Sequence, residues 1–171
     1  MARKKKRKVC IAIDTREQLP YDFRPYEVDT RTITLQHGDY SVIYPNVSTS
    51  LCIERKSIND FAQSCGANRK RFAKELNAMR GYRYAVVVIE AHYTDILHGR
   101  YRSEITPESL AGTIARYNSQ GIQFAFAGTR THAEQFVYNY CMQVAKDVIQ
   151  YATNATQMSI AVADASGNTR R

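Results

Sequence analysis

Two uninterrupted apolar runs constrain the fold of this chain more than any other feature of its sequence. Val9–Ile13 and Tyr84–Glu90 (YAVVVIE) have the length and composition of strands that are buried on both sides. Such strands belong in a sheet whose two faces are both covered. The sequence therefore predicts a sheet with helices above and below it, and it predicts that Tyr84–Glu90 lies inside that sheet.

Four further segments have the pattern of strands. Glu27–Leu35 alternates and is rich in Thr, Val and Ile, and Ile122–Ala127 is a short run near the end of the chain. Asp39–Ile43 and Leu51–Arg55 are joined by the turn-rich segment Tyr44–Ser50, which predicts a hairpin.

Helices are indicated by start signals between these strands. Ser57 has the character of an N-cap with Asp60 at its third helical position, and Pro107 suits a first helical position. Thr131 and Glu134 form a predicted capping box. Strands followed by alternating helices and strands predict a three-layer α/β domain with a mixed sheet. The predicted helices run from Ser57 toward Ser64, over Asn68–Arg80, from Thr106 to about Tyr117, and over Ala133–Tyr151.

The charge of the chain is confined to its ends. The 171 residues suit one domain, and the formal net charge is +8. Arg3–Lys8 supply six of these charges, and Arg170 with Arg171 supply two, so the body is formally neutral. We expect a basic arm over residues 1–8, a domain over 9–151 and a flexible tail over 152–171. The arm suits either a nuclear-import signal or contact with DNA.

Cysteine spacing and hydropathy exclude several classes of protein. The four cysteines contain no CxxC pair, so no zinc or redox motif is indicated. Cys10 and Cys52 lie in apolar runs and are predicted to be small core residues. No apolar run is long enough for a membrane span. These features predict a soluble protein in a reducing compartment, either the cytoplasm or, in a eukaryote, the nucleus.

Acidic and basic residues at the ends of neighbouring strands indicate chemistry. Residues two apart on a strand share a face, so Glu54 and Lys56 point to one side and Arg55 to the other. If the predicted hairpin forms, Asp39 approaches Glu54. Two adjacent carboxylates need a cation between them, and their oxygens suit Mg²⁺ or Mn²⁺. With Lys56 beside them, this arrangement suits metal-assisted hydrolysis of a phosphodiester.

Each fragment has an ordinary structural explanation when it is taken alone. Gly38-Asp39 is typical of a turn, and Glu54–Lys56 is typical of a solvated strand end. Asp60 can simply cap a helix, and Asp14 can simply cap a loop. Asp14, with Arg16 and Glu17 of the same segment, nevertheless follows the first buried strand and can join the site.

The joint pattern is more specific than its parts. Gly38-Asp39, fourteen intervening residues, Glu54-Arg55-Lys56 and then Asp60 resemble the GD…ERKxxxD signature of the XPF-type structure-specific endonucleases. That family is a branch of the PD-(D/E)XK restriction-endonuclease-like fold. The resemblance covers roughly residues 9–150 and includes Ile13–Glu17, Thr34–Tyr40, Glu54–Phe61, Arg71-Phe72, Glu75-Leu76, Val86–Glu90, Ser103, Thr106–Ser109 and Phe124–Gly128.

The resemblance implies roles for the matching residues. Asp39 and Glu54 would be metal ligands, with the Arg55 carbonyl as a candidate third ligand and Asp14 included in the metal set. Lys56 would be the catalytic lysine. The residues implied to support the metal, the phosphate or the geometry of the site are Asp14, Arg16, Glu17, Arg55 and Asp60.

The resemblance also implies a partner and an assembly. The substrate would be branched or flapped DNA, processed in repair, recombination or phage DNA metabolism, and the domain would form a homodimer. Arg71 would contact the DNA backbone. The basic cluster around it, which is Asn68–Arg71 with Lys74, is a candidate phosphate contact, although a solvated helix end has the same composition. The residues predicted to bind DNA are Arg16, Arg69, Lys70, Arg71 and Lys74. Because a compact nuclease of this type suggests a phage or bacterial source, the resemblance also favours DNA contact over nuclear import for the basic arm.

The chain departs from the family pattern at two points. Many members carry a tandem helix-hairpin-helix module, and only Ala152–Arg171 follow the last predicted helix here. Glu75 stands where eukaryotic members tend to have Gln, and we assign it no role. Glu90 can reach the site or face solvent. Two alternatives therefore stay open, a non-catalytic DNA-binding module of the same fold and a nuclease without structure specificity.

Overall fold

The computed structural model describes residues 9–44 and 49–167, with side chains described as far as residue 158. The predicted basic arm, Arg170 and Arg171 lie outside the described residues, as does part of the predicted hairpin loop.

Six strands form one mixed sheet in the order β2-β1-β3-β4-β5-β6. β1 pairs in parallel with β2 and antiparallel with β3, whereas β4, β5 and β6 are parallel to one another. The predicted hairpin is confirmed, because β3 and β4 are antiparallel with Tyr40 opposite Ile53. The strands are β1 (Cys10–Asp14), β2 (Asp29–Ile33), β3 (Tyr40–Ile43), β4 (Leu51–Ser57), β5 (Tyr84–Glu90) and β6 (Gln123–Phe126).

Helices cover both faces of the sheet, so the predicted three-layer α/β fold is confirmed. The long helix α5 covers one face, where its buried side chains pack on Ile11, Tyr40, Ile53 and Val88. The other face carries the remaining α-helices. The helices are α1 (Ile58–Cys65), α2 (Arg69–Met79), α3 (Tyr93–Leu97), α4 (Pro107–Asn118) and α5 (Arg130–Gly167), with a short 3₁₀ helix at Arg24–Tyr26.

Two of the predicted helix starts are confirmed by hydrogen bonds. Ser57 caps α1, since its hydroxyl accepts from the Asp60 N–H and donates to the Asp60 carboxylate at 2.7 Å. Thr106 caps α4 ahead of Pro107. α3 and the 3₁₀ turn were not predicted, because they are too short to show a period.

The predicted boundaries of the last helix are wrong. α5 begins at Arg130, and the Thr129 hydroxyl accepts a hydrogen bond from the His132 N–H at 3.2 Å. Glu134 does not form the predicted capping box with Thr131, because it accepts a hydrogen bond from the Asp22 N–H at 2.9 Å instead. The helix also continues past Tyr151 to Gly167. Its extension contains neither Pro nor an internal Gly, so nothing in the sequence stops it.

The four cysteines are buried as free thiols, in agreement with the expected core positions of Cys10 and Cys52. Among the described residues, no helix combines the length and the apolar character needed to span a lipid bilayer.

Candidate active site

A cleft of about 200 Å³ opens where strands β1, β3 and β4 reach the same region of the sheet. Asp14, at the end of β1, Asp39, just before β3, and Glu54, on β4, all line it. Helix α2 closes one wall with Glu75 and Met79. We call this the active-site cleft. Its remaining lining residues are Arg16, Gln36, His37 and Gly38.

Alternation along β4 divides Glu54, Arg55 and Lys56 between the two faces of the sheet, as predicted. Ile53 packs in the core beneath α5, and Cys52 packs in the core beneath α1 and α2. Glu54 and Lys56 therefore face the α2 side, and the Arg55 side chain faces the α5 side. Only the backbone of Arg55 adjoins the cleft, where its N–H donates to Asp39 Oδ2 at 2.7 Å.

Asp39 is fixed by the backbone of two neighbouring strands. Its N–H donates to the Ile53 carbonyl at 2.7 Å, and its carbonyl accepts from the Asp14 N–H at 2.8 Å. Gly38 makes this close approach possible, because it has a φ of 74° and a Cβ there would lie 2.7 Å from the Ile53 carbonyl oxygen. Burial, followed by the charge of Glu54, raises the pKa of Asp39 to about 7.

Lys56 lies beside Glu54, which lines the cleft. It is 9% exposed, its Nζ is 2.8 Å from Glu54 Oε1, and it lies 5.2 Å from the centre of the Phe72 ring. Burial acts to lower the pKa of Lys56, but the charge of Glu54 and its hydrogen bond outweigh burial and raise it. Lys56 is therefore a protonated donor at neutral pH rather than a base.

Asp14 is buried and holds its neighbours in place. Arg16 donates to both of its carboxylate oxygens, at 2.6 and 3.0 Å, and the Leu35 N–H donates at 2.6 Å. The hydrogen bond from Arg16 lowers the pKa of Asp14 to about 2, although burial opposes it. In this structure the Asp14 carboxylate is occupied by Arg16, and its assignment as a metal ligand stays a prediction.

A second set of charges lies on the opposite face of the sheet, and we call it the back-face network: Arg55, Glu90, Arg130, Tyr21 and Glu17. Arg55 makes a bidentate ion pair with Glu90, with Nε–Oε1 at 2.7 Å and Nη2–Oε2 at 3.0 Å. Tyr21 donates its hydroxyl to Glu90 at 3.0 Å, and Arg130 donates at 3.2 Å. Glu17 lies 3.6 Å from Arg55.

The network links four segments that are distant in the sequence. Arg130, at the start of α5, also donates to the carbonyls of Leu19 and Pro20 at 2.6 and 2.9 Å. It therefore ties the segment after β1 to the ends of β4 and β5. Burial opposes the charged form of Glu90, yet hydrogen bonding to Arg55 and its charge lower the pKa of Glu90.

The remaining predicted residues lie outside the floor of the cleft. Asp60 is exposed and bonded to Ser57, so its observed contact is the helix cap. Arg71 pairs with Glu75 at 3.4 Å, which places it beside the cleft. Arg69, Lys70 and Lys74 are exposed on α2.

Three contributors to the site were missed or given no role from the sequence. Tyr21 and Arg130 stand in segments that carry no motif, and no spacing indicates that they meet Glu90. Glu75 lies four residues after Arg71, which is the spacing of a helical ion pair, and that signal could have placed it on the cleft side of α2.

The donors of the cleft fit a hard divalent cation. The carboxylates of Asp39 and Glu54 face one space, and burial favours the protonated form of Asp39, a condition that a bound cation reverses. Among the described residues, no three His, Cys, Asp or Glu side chains are grouped closely enough to form a metal site by themselves. A site here would therefore combine Asp39 and Glu54 with a backbone carbonyl or water, as Mg²⁺ sites commonly do.

Comparison with known proteins agrees with this geometry. The ERCC4 domain family matches residues 13–140. XPF from Aeropyrum pernix superposes with a TM-score of 0.61 at 20% identity, covering 87% of this chain and 73% of that one. XPF from Aeropyrum pernix in complex with DNA gives 0.63 at 21%, covering 81% and 66%. No curated protein matches the sequence.

A mixed sheet covered on both faces, with two acids and a lysine beside adjacent strand ends, is the architecture of an XPF-type nuclease domain. Since the family match extends over more than half of the sequence, the chain belongs to the ERCC4 domain family.

Proposed function

We propose that this domain is a Mg²⁺-dependent endonuclease that hydrolyses phosphodiester bonds in branched or flapped DNA, with Mn²⁺ able to replace Mg²⁺. One observation carries the proposal. Asp39 and Glu54 face a single cleft with Lys56 beside them, although fourteen residues separate the two acids in the sequence.

Asp39 and Glu54 would hold the cation, with the Arg55 carbonyl as a further ligand and Asp14 as the next carboxylate along the cleft. The bound metal would polarise the phosphate and lower the pKa of a coordinated water. Hydrolysis forms a bond from water oxygen to phosphorus and breaks one bridging P–O ester bond, while the water loses a proton to solvent and the leaving oxygen takes one from solvent.

The residues of the chain would position the phosphate and balance its charge. Lys56 is protonated and lies 2.8 Å from Glu54, which lines the cleft, so it would donate to a non-bridging oxygen whose negative charge grows in the transition state. Arg16, exposed beside Asp14, would contact a flanking phosphate. Glu17, Arg55 and Asp60 would hold the geometry of the surrounding strands and helix. These roles need the Lys56 proton to stay in place, which agrees with its raised pKa.

DNA would lie over the cleft and helix α2. We propose contacts from Arg69, Lys70, Arg71 and Lys74, together with the basic arm over residues 1–8. We also propose a homodimer, and a role in repair, recombination or phage DNA processing. The chain spans 73% and 66% of the two XPF structures, so these whole-protein properties rest on the proposal alone.

The arm and the cleft make separable contributions. Deletion of residues 2–7 should weaken DNA binding and flatten its dependence on salt, because each phosphate contact releases counterions. Metal-dependent chemistry should survive the deletion. Fluorescence anisotropy over a range of salt concentrations measures the first effect, and single-turnover cleavage at saturating protein measures the second. A deletion that leaves the salt dependence unchanged would remove the arm from the DNA contact.

The deciding experiment compares a labelled flap, a four-way junction and a linear duplex, each with Mg²⁺ and with EDTA. We expect Mg²⁺-dependent cuts near the branch, and we expect Asp39→Ala to cut nothing while Asp147→Ala, on α5, cuts like the wild type. Binding without cleavage that Asp39→Ala leaves unchanged would indicate the non-catalytic alternative. Equal cutting of all three substrates would indicate a nuclease without structure specificity.

A further inference from the structure

Helix α2 separates the active-site cleft from a second concave surface. This α2–α4 groove has a volume of about 120 Å³, and it lies between Arg69, Ala73 and Asn77 of α2 and Thr113 and Arg116 of α4. Successive residues of an α-helix are turned by about 100°, so Arg69, Ala73 and Asn77 form one flank of α2. Arg71, Glu75 and Met79 form the opposite flank, which faces the active-site cleft.

The charge and donors of the groove suit an anion. Two guanidinium groups, of Arg69 and Arg116, line it together with the Asn77 amide, and none of its lining residues is acidic. Within the described part of the chain, neither Arg69 nor Arg116 forms an ion pair with a carboxylate. By contrast, Arg71 on the other flank is paired with Glu75.

The floor of the groove is preformed. Phe72 and Tyr117 are buried at its base, and the Arg116 guanidinium lies 5.7 Å from the centre of the Tyr117 ring, within cation–π range. With a volume of about 120 Å³, the groove has room for a group of the size of a phosphate. The groove therefore places two arginines, which form no ion pair among the described residues, above a buried aromatic floor. Its size suits a single phosphate group.

From this geometry we infer that the α2–α4 groove binds a backbone phosphate of the DNA strand whose scissile phosphate occupies the active-site cleft. The inference rests on the proposed function and adds a second anchoring point to it. An α-helix with its side chains is about 10 Å across, which equals about three nucleotides at 3.4 Å of rise per nucleotide. The exposed Lys70 and Lys74, on the outer surface of α2, would face the backbone between the two points.

The test compares two variants that lose the same charge. Arg116→Gln removes a groove cation, and Lys146→Gln removes an exposed cation from α5, on the other face of the sheet. Binding of a labelled flap DNA is measured by anisotropy without divalent metal, over a range of salt concentrations. We expect Arg116→Gln to weaken binding roughly tenfold and to reduce the slope of log K against log salt by about one, with Lys146→Gln close to the wild type.

Cleavage kinetics supply the second readout. Arg116→Gln should raise KM with kcat unchanged, because an anchor away from the reacting phosphate contributes equally to ground-state and transition-state binding. Equal binding and salt slopes for the two variants would overturn the groove assignment even if the wild type cleaves. A wild type that cuts no DNA, with the difference in salt slope intact, would instead overturn the proposed nuclease and leave the groove assignment standing.

Discussion

The charged side chains on the two faces of strand β4 differ in how completely their neighbours neutralise them. On the α2 side, Asp39 and Glu54 share one cleft, and burial followed by mutual repulsion raises the pKa of Asp39 to about 7. On the α5 side, Arg55 and Tyr21 satisfy Glu90, and its pKa is lowered. One strand thus carries an electrostatically incomplete cluster on one face and a completed one on the other.

This difference distinguishes a ligand-binding site from an ion-pair network that supports the fold. A buried carboxylate without a counter-charge costs stability and persists where a ligand completes it, whereas a paired buried charge fixes geometry. The Arg55 backbone N–H connects the two, since it holds Asp39 at 2.7 Å while its side chain is anchored to Glu90. The back-face network is therefore connected to Asp39 through the Arg55 backbone, although none of its residues lines the cleft.

The largest effect is expected from removing the charge of Lys56, beside the cleft. Lys56→Met keeps much of the side-chain volume but leaves Glu54 without its 2.8 Å partner and a bound phosphate without a donor. We expect single-turnover cleavage of a flap substrate to fall about 10³-fold, the upper range for loss of one transition-state donor. Lys146→Met, on α5, is the matched control. Equal cleavage rates for the two variants would exclude Lys56 from the reaction.

Removing one charge of the back-face network should lower the free energy of unfolding. Glu90→Gln leaves Arg55, whose side chain is 14% exposed, without its bidentate partner. We expect the free energy of unfolding to fall by about 3 kcal/mol, as for other buried pairs that lose one charge. Urea denaturation at pH 7 measures it.

The control for Glu90→Gln is Asp22→Asn, which breaks an ion pair whose arginine, Arg24, is 90% exposed. It should leave the unfolding free energy close to that of the wild type. Equal losses in the two variants would show that the back-face network supports the fold no more than a surface pair does.

The cleft was easier to predict from the sequence than the network, for a physical reason. Alternation along β4 follows from backbone geometry, so the pattern alone assigns Glu54 and Lys56 to one face and Arg55 to the other. The hairpin then brings Asp39 to them. Arg130 contacts Glu90 and Leu19 across 40 and 111 residues, and no local pattern encodes such a contact. The predicted capping box at Thr131 was wrong for a similar reason, because Glu134 accepts a hydrogen bond from Asp22, which is distant in the sequence.

A pH titration of stability should show that Asp39 is electrostatically incomplete. Its folded pKa of about 7 lies above the unfolded value, so its contribution is fully present below about pH 4 and is lost as pH rises through 7. Asp39→Asn carries no charge and avoids that loss. In EDTA at pH 8 we expect the variant to be more stable than the wild type, and the difference should disappear near pH 4.

Addition of Mg²⁺ should make the wild type more stable than Asp39→Asn. Mg²⁺ that binds only the folded wild type adds stability by mass action, and Asp39→Asn should gain little. Thermal unfolding at pH 8 with and without Mg²⁺ measures both effects, with Asp147→Asn as the control. A wild type that is more stable than Asp39→Asn in EDTA would contradict the raised pKa.

The smallest effect is expected at the solvent edge of the network. Arg130 is 41% exposed, and Glu90 keeps Arg55 and Tyr21 when Arg130 is lost, so Arg130→Ala should cost about 1 kcal/mol. Much of that loss would come from the carbonyls of Leu19 and Pro20, which lose their donor. Combining Arg130→Ala with Glu90→Gln tests the connection, because residues that share a partner are not additive. A double variant whose loss falls short of the sum of the two single losses is expected, and strict additivity would mean that Arg130 holds the segment after β1 independently of Glu90.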